Sequence, residues 1–116
     1  MFEFMNITRA LSDENRVRII AALKDRELCV CQIIDLLELS PSTVSKHLSI
    51  LRNARLLSGR KEGRWMHYRL AKDPDRPMVT EAIEWVLRSI GTKDRVRRDT
   101  ERVAAILADE AAQRCG

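Results

Sequence analysis

Leu39-Ser-Pro-Ser-Thr-Val-Ser-Lys-His-Leu-Ser-Ile-Leu-Arg-Asn-Ala-Arg-Leu-Leu57 runs directly into Ser58-Gly-Arg-Lys-Glu-Gly-Arg-Trp-Met-His-Tyr-Arg-Leu70. Ser40-Pro41 is a helix start, a capping hydroxyl followed by proline where no amide partner is needed. Val44, Leu48 and Leu51 then recur at helical spacing and form a buried stripe. Ser42, Thr43, Ser45, Lys46, His47 and Ser49 fall on the opposite, polar face. Leu56 to Lys61 and Trp65 to Leu70 read as two strands, with Glu62-Gly63-Arg64 as the turn between them.

A helix with a hydroxyl-rich leading face, followed by a basic hairpin, can set side chains in a DNA groove and hold the backbone beside it. The charge distribution supports this. Lys46 to Lys72 holds eight basic residues (Lys46, Arg52, Arg55, Arg60, Lys61, Arg64, Arg69 and Lys72) and one acid, Glu62, for a net +7. The other 13 basic and 16 acidic residues leave −3 for the rest of a chain whose total is +4. A charge run is ordinarily a solvated face, but one superimposed on a helix-hairpin pattern points to a polyanion. The candidate DNA contacts are Ser42, Thr43, Ser45, Lys46 and His47 on the helix, with Arg52 at its end. On the hairpin they are Arg60, Lys61, Arg64, His67 and Tyr68. Plain capping is the competing role for the hydroxyls, hydrogen bonding against the hairpin for His47, and core packing for Trp65 and Tyr68.

Working outward, Phe4, Ile7 and Leu11 predict a first helix. Ser12-Asp13 caps a second, with Val17, Ile20 and Leu23 on one face and an end near Lys24-Asp25. Val30, Ile33, Ile34 and Leu37 place a third, short helix over Cys29 to Leu37, joined to the polar helix by Glu38-Leu39-Ser40. This is a helix-turn-helix. Asp73-Pro74-Asp75-Arg76-Pro77 breaks the chain before a helix that carries Val79, Ala82, Ile83, Val86, Leu87 and Ile90. Gly91-Thr92 ends it, and residues 93 to about 113 form a last helix with Val96, Val103 and Leu107 on its apolar side. The expected fold is mainly α with a small β-hairpin: four helices, the hairpin and two more helices, in one domain over residues 1–116. Segments 1–12 and 74–92 carry apolar stripes broader than a small core needs. They are expected to form a homodimer seam, which would present two reading heads to a palindromic operator. Residues 93–116 are a C-terminal helical extension.

The 116 residues are 45% hydrophobic and 33% charged, the composition of one soluble globular domain. No apolar run is long enough to cross a bilayer and Met1 to Thr8 lacks a signal-peptide pattern, so a cytoplasmic protein is expected. The three cysteines, Cys29, Cys31 and Cys115, do not make a disulfide framework. There is no Cys-x-x-Cys, phosphate loop or nucleophile with a base, so no enzyme is expected.

The run from Ser40 to Leu57, with Arg60 to Leu70 and Ala10-Leu11-Ser12-Asp13-Glu14-Asn15-Arg16-Val17-Arg18-Ile19, resembles the ArsR-type winged-helix repressors over about Ile7 to Leu70. The resemblance implies a homodimeric repressor that dimerises through its first and fifth helices and leaves operator DNA when an inducer binds. Glu27-Leu28-Cys29-Val30-Cys31 is similar to the sensing motif of the arsenic-responsive members. Those regulate metalloid-resistance operons and bind arsenic(III), with antimony(III) as the related inducer. The chemistry agrees, because thiophilic ions prefer thiolates to carboxylates or imidazole, and a helix N-terminus favours the thiolate form. Cysteines two apart point to nearly opposite sides of a helix, so chelation by Cys29 and Cys31 is expected to distort the first helical turn. Ile34 stands where some members have a third cysteine, which makes Cys115 a candidate third donor; the alternative is an unliganded tail Cys115, with water or another small ligand beside the two thiolates. The segment from Pro77 to Ile90 has Glu81 and Glu84 but no histidine, so the family's fifth-helix metal site is expected to be absent. The alternatives are a thiol redox switch at the same pair, strained as Cys-x-Cys disulfides are, or two inert residues at a helix start.

Overall fold

A computed structural model describes residues 1–112, with side chains through residue 109. The order is α1 (Phe2–Ala10), α2 (Glu14–Ala22), β1 (Leu28–Cys29), α3 (Val30–Leu37), α4 (Pro41–Asn53), β2 (Leu57–Glu62), β3 (Trp65–Leu70), α5 (Pro77–Ile90) and α6 (Asp94–Ala112). The winged helix-turn-helix expected from the sequence is present, with one addition, the two-residue strand β1.

The helix starts follow their capping chemistry. The Asp13 carboxylate accepts from the amides of Asn15 at 2.8 Å and Arg16 at 3.2 Å, which opens α2. The Ser40 hydroxyl accepts from the Thr43 amide at 3.3 Å ahead of Pro41, which opens α4. Glu38, in the left-handed region at φ 56°, ends α3 and turns the chain toward α4. Ile19, Ile20, Leu23, Leu28, Ile33, Val44, Leu48, Leu51, Leu56 and Val79 are almost wholly buried in one core under these elements.

The hairpin is tighter than expected. Glu62 pairs with Trp65, so the loop is only Gly63-Arg64, and Gly63 takes the positive φ of 62° that the first position of such a loop needs. β3 is the central strand, with β2 on one side and β1 on the other. Leu28 pairs with Tyr68 and Cys29 with His67, so Cys29 belongs to the wing sheet.

α6 packs on α2 and α3 through Asp99, Val103 and Ile106. The inward face is therefore rotated from the expected Val96-Val103-Leu107 stripe, and Leu107 is exposed. At its centre is an ion pair, Arg18 Nε to Asp99 Oδ2 at 2.8 Å and Nη2 to Oδ1 at 3.1 Å, with both residues buried. Among the described residues, no helix is long and apolar enough to cross a membrane.

Candidate nucleic-acid interface and thiol sensor

α4 divides as its sequence pattern requires. Val44, Leu48 and Leu51 face the core, while Ser42, Thr43, Ser45, Lys46 and Ser49 are exposed on the other side. The Ser40 hydroxyl donates to Thr43 Oγ1 at 2.8 Å, so Thr43 takes part in the cap as well as in the polar face. The free face offers hydroxyls and one ammonium group at the width of a major groove. Arg52 is exposed at the end of α4, with its guanidinium beside Gly59 of β2.

His47 is placed differently. It is half-buried, and its Nδ1 accepts from Arg16 Nη1 at 3.2 Å, so its partner is α2 and not the hairpin. The same guanidinium donates to the carbonyls of Ala10 at 2.8 Å and Arg9 at 3.1 Å. Arg16, which sequence reasoning passed over, thus joins the end of α1, the start of α2 and the recognition helix.

On the wing, Lys61 and Arg64 are exposed at the tip. Tyr68 is a correction: it is buried, its ring packs beside Gly59, and it belongs to the core rather than to the DNA face. The reason is register, since strand partners share a face, and Tyr68 sits with Leu28 and Gly59 on the inner one. Arg60 is committed to carboxylates. Its Nε lies 3.0 Å from both Glu27 oxygens, Nη2 lies 2.6 Å from Glu27 Oε1, and Nη1 lies 2.7 Å from Glu62 Oε1. His67 Nδ1 stands 3.9 Å from the same Glu27 oxygen. Hydrogen bonds from Arg60 hold the carboxyls of Glu27 and Glu62 below the usual carboxylate range and raise the guanidinium's own value.

Cys29 and Cys31 straddle the junction between β1 and α3. Cys29 is the N-cap of α3, with extended backbone at φ −79° and ψ 156°, and its amide donates to Gln32 Oε1 at 2.7 Å. Cys31 lies in the first helical turn, half-buried, and the two Sγ atoms stand 2.7 Å apart. This corrects the expectation of opposed side chains. That expectation put both residues inside a helix, whereas the extended Cys29 turns its sulfur toward Cys31 with α3 intact. Cys115 lies outside the described residues. Among those described, no cluster of three or more His, Cys, Asp or Glu is arranged to hold a metal ion.

Residues 13–58 match the family model described as bacterial regulatory protein, arsR family. The chain is 36% identical over 112 residues to the arsenical resistance operon repressor of Escherichia coli K12, covering 96% of this chain and 87% of that repressor. Its fold is similar to that of HlyU from Vibrio cholerae N16961, with a TM-score of 0.64 and 33% identity over 75% of this chain and 90% of that one. It is also similar to the AntR antimony-specific transcriptional repressor, with a TM-score of 0.59 and 28% identity over 77% and 78% of the two chains. The reading helix, the basic wing and an alignment running nearly end to end lead to one conclusion: the chain belongs to the ArsR family, as a DNA-binding transcriptional repressor and not an enzyme.

Proposed function

We propose that the chain represses a metalloid-resistance operon as a homodimer and leaves its operator when arsenic(III), or antimony(III), binds Cys29 and Cys31. The observation that carries this reading is the convergence of the two sulfurs, 2.7 Å apart, at the first turn of the helix that supports the reading helix. Two thiolates are a donor set for a soft trivalent ion and a poor one for hard cations. The similar Escherichia coli protein is an arsenical resistance repressor and AntR an antimony-specific one, in agreement with that choice.

The homodimer is supported by apolar surface that this subunit leaves open. Phe2, Phe4 and Met5 on α1 and Met78 and Trp85 on α5 are exposed. Residues 1–12 and 74–92 therefore supply the seam, and α6 extends the single domain over α2 and α3. A two-fold pair would set two α4 helices on a palindromic operator. Ser42, Thr43, Ser45 and Lys46 read or approach bases, Arg52, Lys61 and Arg64 meet phosphates, and His47 acts through Arg16.

The test is binding of the protein to a labelled duplex selected from a random-sequence pool, titrated with arsenite, antimonite, cadmium, zinc and peroxide. Release by arsenite or antimonite in the wild type, with binding but no release in Cys29→Ser and Cys31→Ser, is the expected result. Release by arsenite from the double serine variant would overturn the assignment. Release by peroxide alone would favour a redox switch at the same pair.

A further inference from the structure

We propose that Arg16 is a positioning residue that fixes the tautomer of His47, so that α4 presents one defined donor, His47 Nε2–H, to an acceptor on a base edge. This rests on α4 as the helix that enters the major groove, and adds what one of its side chains selects there. A guanidinium is planar, always charged and carries donors only. Arg16 starts from a fixed backbone, because the Asp13 carboxylate holds its amide at 3.2 Å. Its Nε and Nη2 sit on the carbonyls of Ala10 at 2.8 Å and Arg9 at 3.1 Å, at the C-terminal end of α1. A cation suits that end of a helix. With two nitrogens pinned, the plane of the group is set, and Nη1 meets His47 Nδ1 at 3.2 Å. Nη1 can only donate, so Nδ1 offers its lone pair. A neutral imidazole with a bare Nδ1 carries its proton on Nε2.

The other ring nitrogen is open. Among the described residues, no buried side-chain nitrogen or oxygen lacks a hydrogen-bond partner. The bond to Arg16 is the one that His47 makes there, so its partnerless Nε2 is accessible rather than buried. His47 lies one turn after Thr43 on the same side of α4 and next to the exposed Lys46. Its Nε2–H is thus a donor with no internal acceptor, on the margin of the polar face. In the major groove, guanine N7 and O6, adenine N7 and thymine O4 accept, whereas the cytosine amino group donates. A fixed Nε2–H suits the acceptors and rejects the amino group. A ring free to exchange tautomers would take either. Arg16 thereby turns an ambivalent side chain into a donor alone.

The test has a spectroscopic arm and a binding arm. The chain has two histidines, so long-range proton–nitrogen NMR of the histidine-labelled full chain resolves both, with His67→Gln to assign them. At mildly alkaline pH, His47 should show the Nε2-protonated pattern, and Arg16→Met should move it toward the tautomer mixture of free imidazole. A wild-type His47 protonated on Nδ1, or an unmoved pattern in Arg16→Met, overturns the proposal. In the binding arm, the base pairs of a selected duplex are exchanged one at a time. His47→Leu, which leaves Arg16 its two carbonyls, should lose discrimination by roughly tenfold at a single position per reading helix, the order of one base contact. His47→Gln, which can set an N–H at the ε position, should keep most of it. Arg16→Met should show its loss at the same position. Evenly weaker binding across all exchanges in His47→Leu would assign the ring to a phosphate, and unchanged discrimination would leave it without a contact; either overturns the proposal. Failure of α4 as the reading helix shows separately, as wild-type duplex affinity in Lys46→Ala.

Discussion

Arg18 and Asp99, 81 residues apart in sequence, meet through two hydrogen bonds in the interior, with the third guanidinium nitrogen on Asn15 Oδ1 at 3.0 Å. Removing one partner of a buried pair leaves a charge without compensation, at a cost of about 3–5 kcal/mol. Asp99→Ala should destabilise the fold by that order in urea unfolding. Replacing both, as Arg18→Met with Asp99→Leu, removes the desolvation cost along with the attraction and should return most of the stability. A double variant as unstable as the single one would show that the pair does more than neutralise itself.

Trp85 and Phe4 are exposed by 57% and 50% on α5 and α1. A charge placed within a seam is left unpaired at an apolar interface. Trp85→Glu should therefore yield a folded monomer in sedimentation experiments, with duplex affinity reduced by about two orders of magnitude or more through loss of the second reading head. A dimeric Trp85→Glu protein would place the seam elsewhere.

The tip and the base of the wing should behave differently. Arg64 is exposed in the two-residue loop, whereas Arg60 is already bonded to Glu27 and Glu62. Arg64→Ala should weaken binding evenly across duplex sequences and lower the slope of log affinity against log salt by roughly one. Arg60→Gln should change that slope less.

The wing should also respond to acid. Arg60 holds the carboxyls of Glu27 and Glu62 below their ordinary value of 4.5 in the folded chain. A depressed carboxyl contributes stability that is present above the unfolded value and is lost as pH falls through the folded one. Trp65 fluorescence, recorded in a Trp85→Phe background, should stay flat down to about pH 5 and change only in stronger acid. Glu62 is exposed, Glu27 is half-buried and their shared partner Arg60 is exposed, so the effect on global unfolding should be small.

The sequence patterns that located elements were local ones. Ser40-Pro41 opens α4 where it was expected, and Pro77 to Ile90 matches α5 at both ends. The strand β1 was not legible, because two residues carry no alternation and their pairing with β3 lies far along the chain. The same omission hid the convergence of Cys29 and Cys31, which depends on Cys29 being extended. Arg18 and Asp99 gave no signal either, since a buried pair looks in sequence like two surface charges. The pairing of Glu27 with Arg60 carries no local signal either, because the two lie 33 residues apart.

α6 closes over α3 only through contacts that span most of the chain, whereas the α3–α4 turn and the β2–β3 hairpin join neighbours in sequence. Contacts local in sequence require less loop closure and tend to form first. The α3–α4 unit and the hairpin can therefore take shape before α6 boxes in α3 on the outer side. In pulsed hydrogen exchange during refolding, hairpin amides should gain protection ahead of those in α6. On the function proposed above, assembly would then run opposite to signalling, with the output built first and the input completed last.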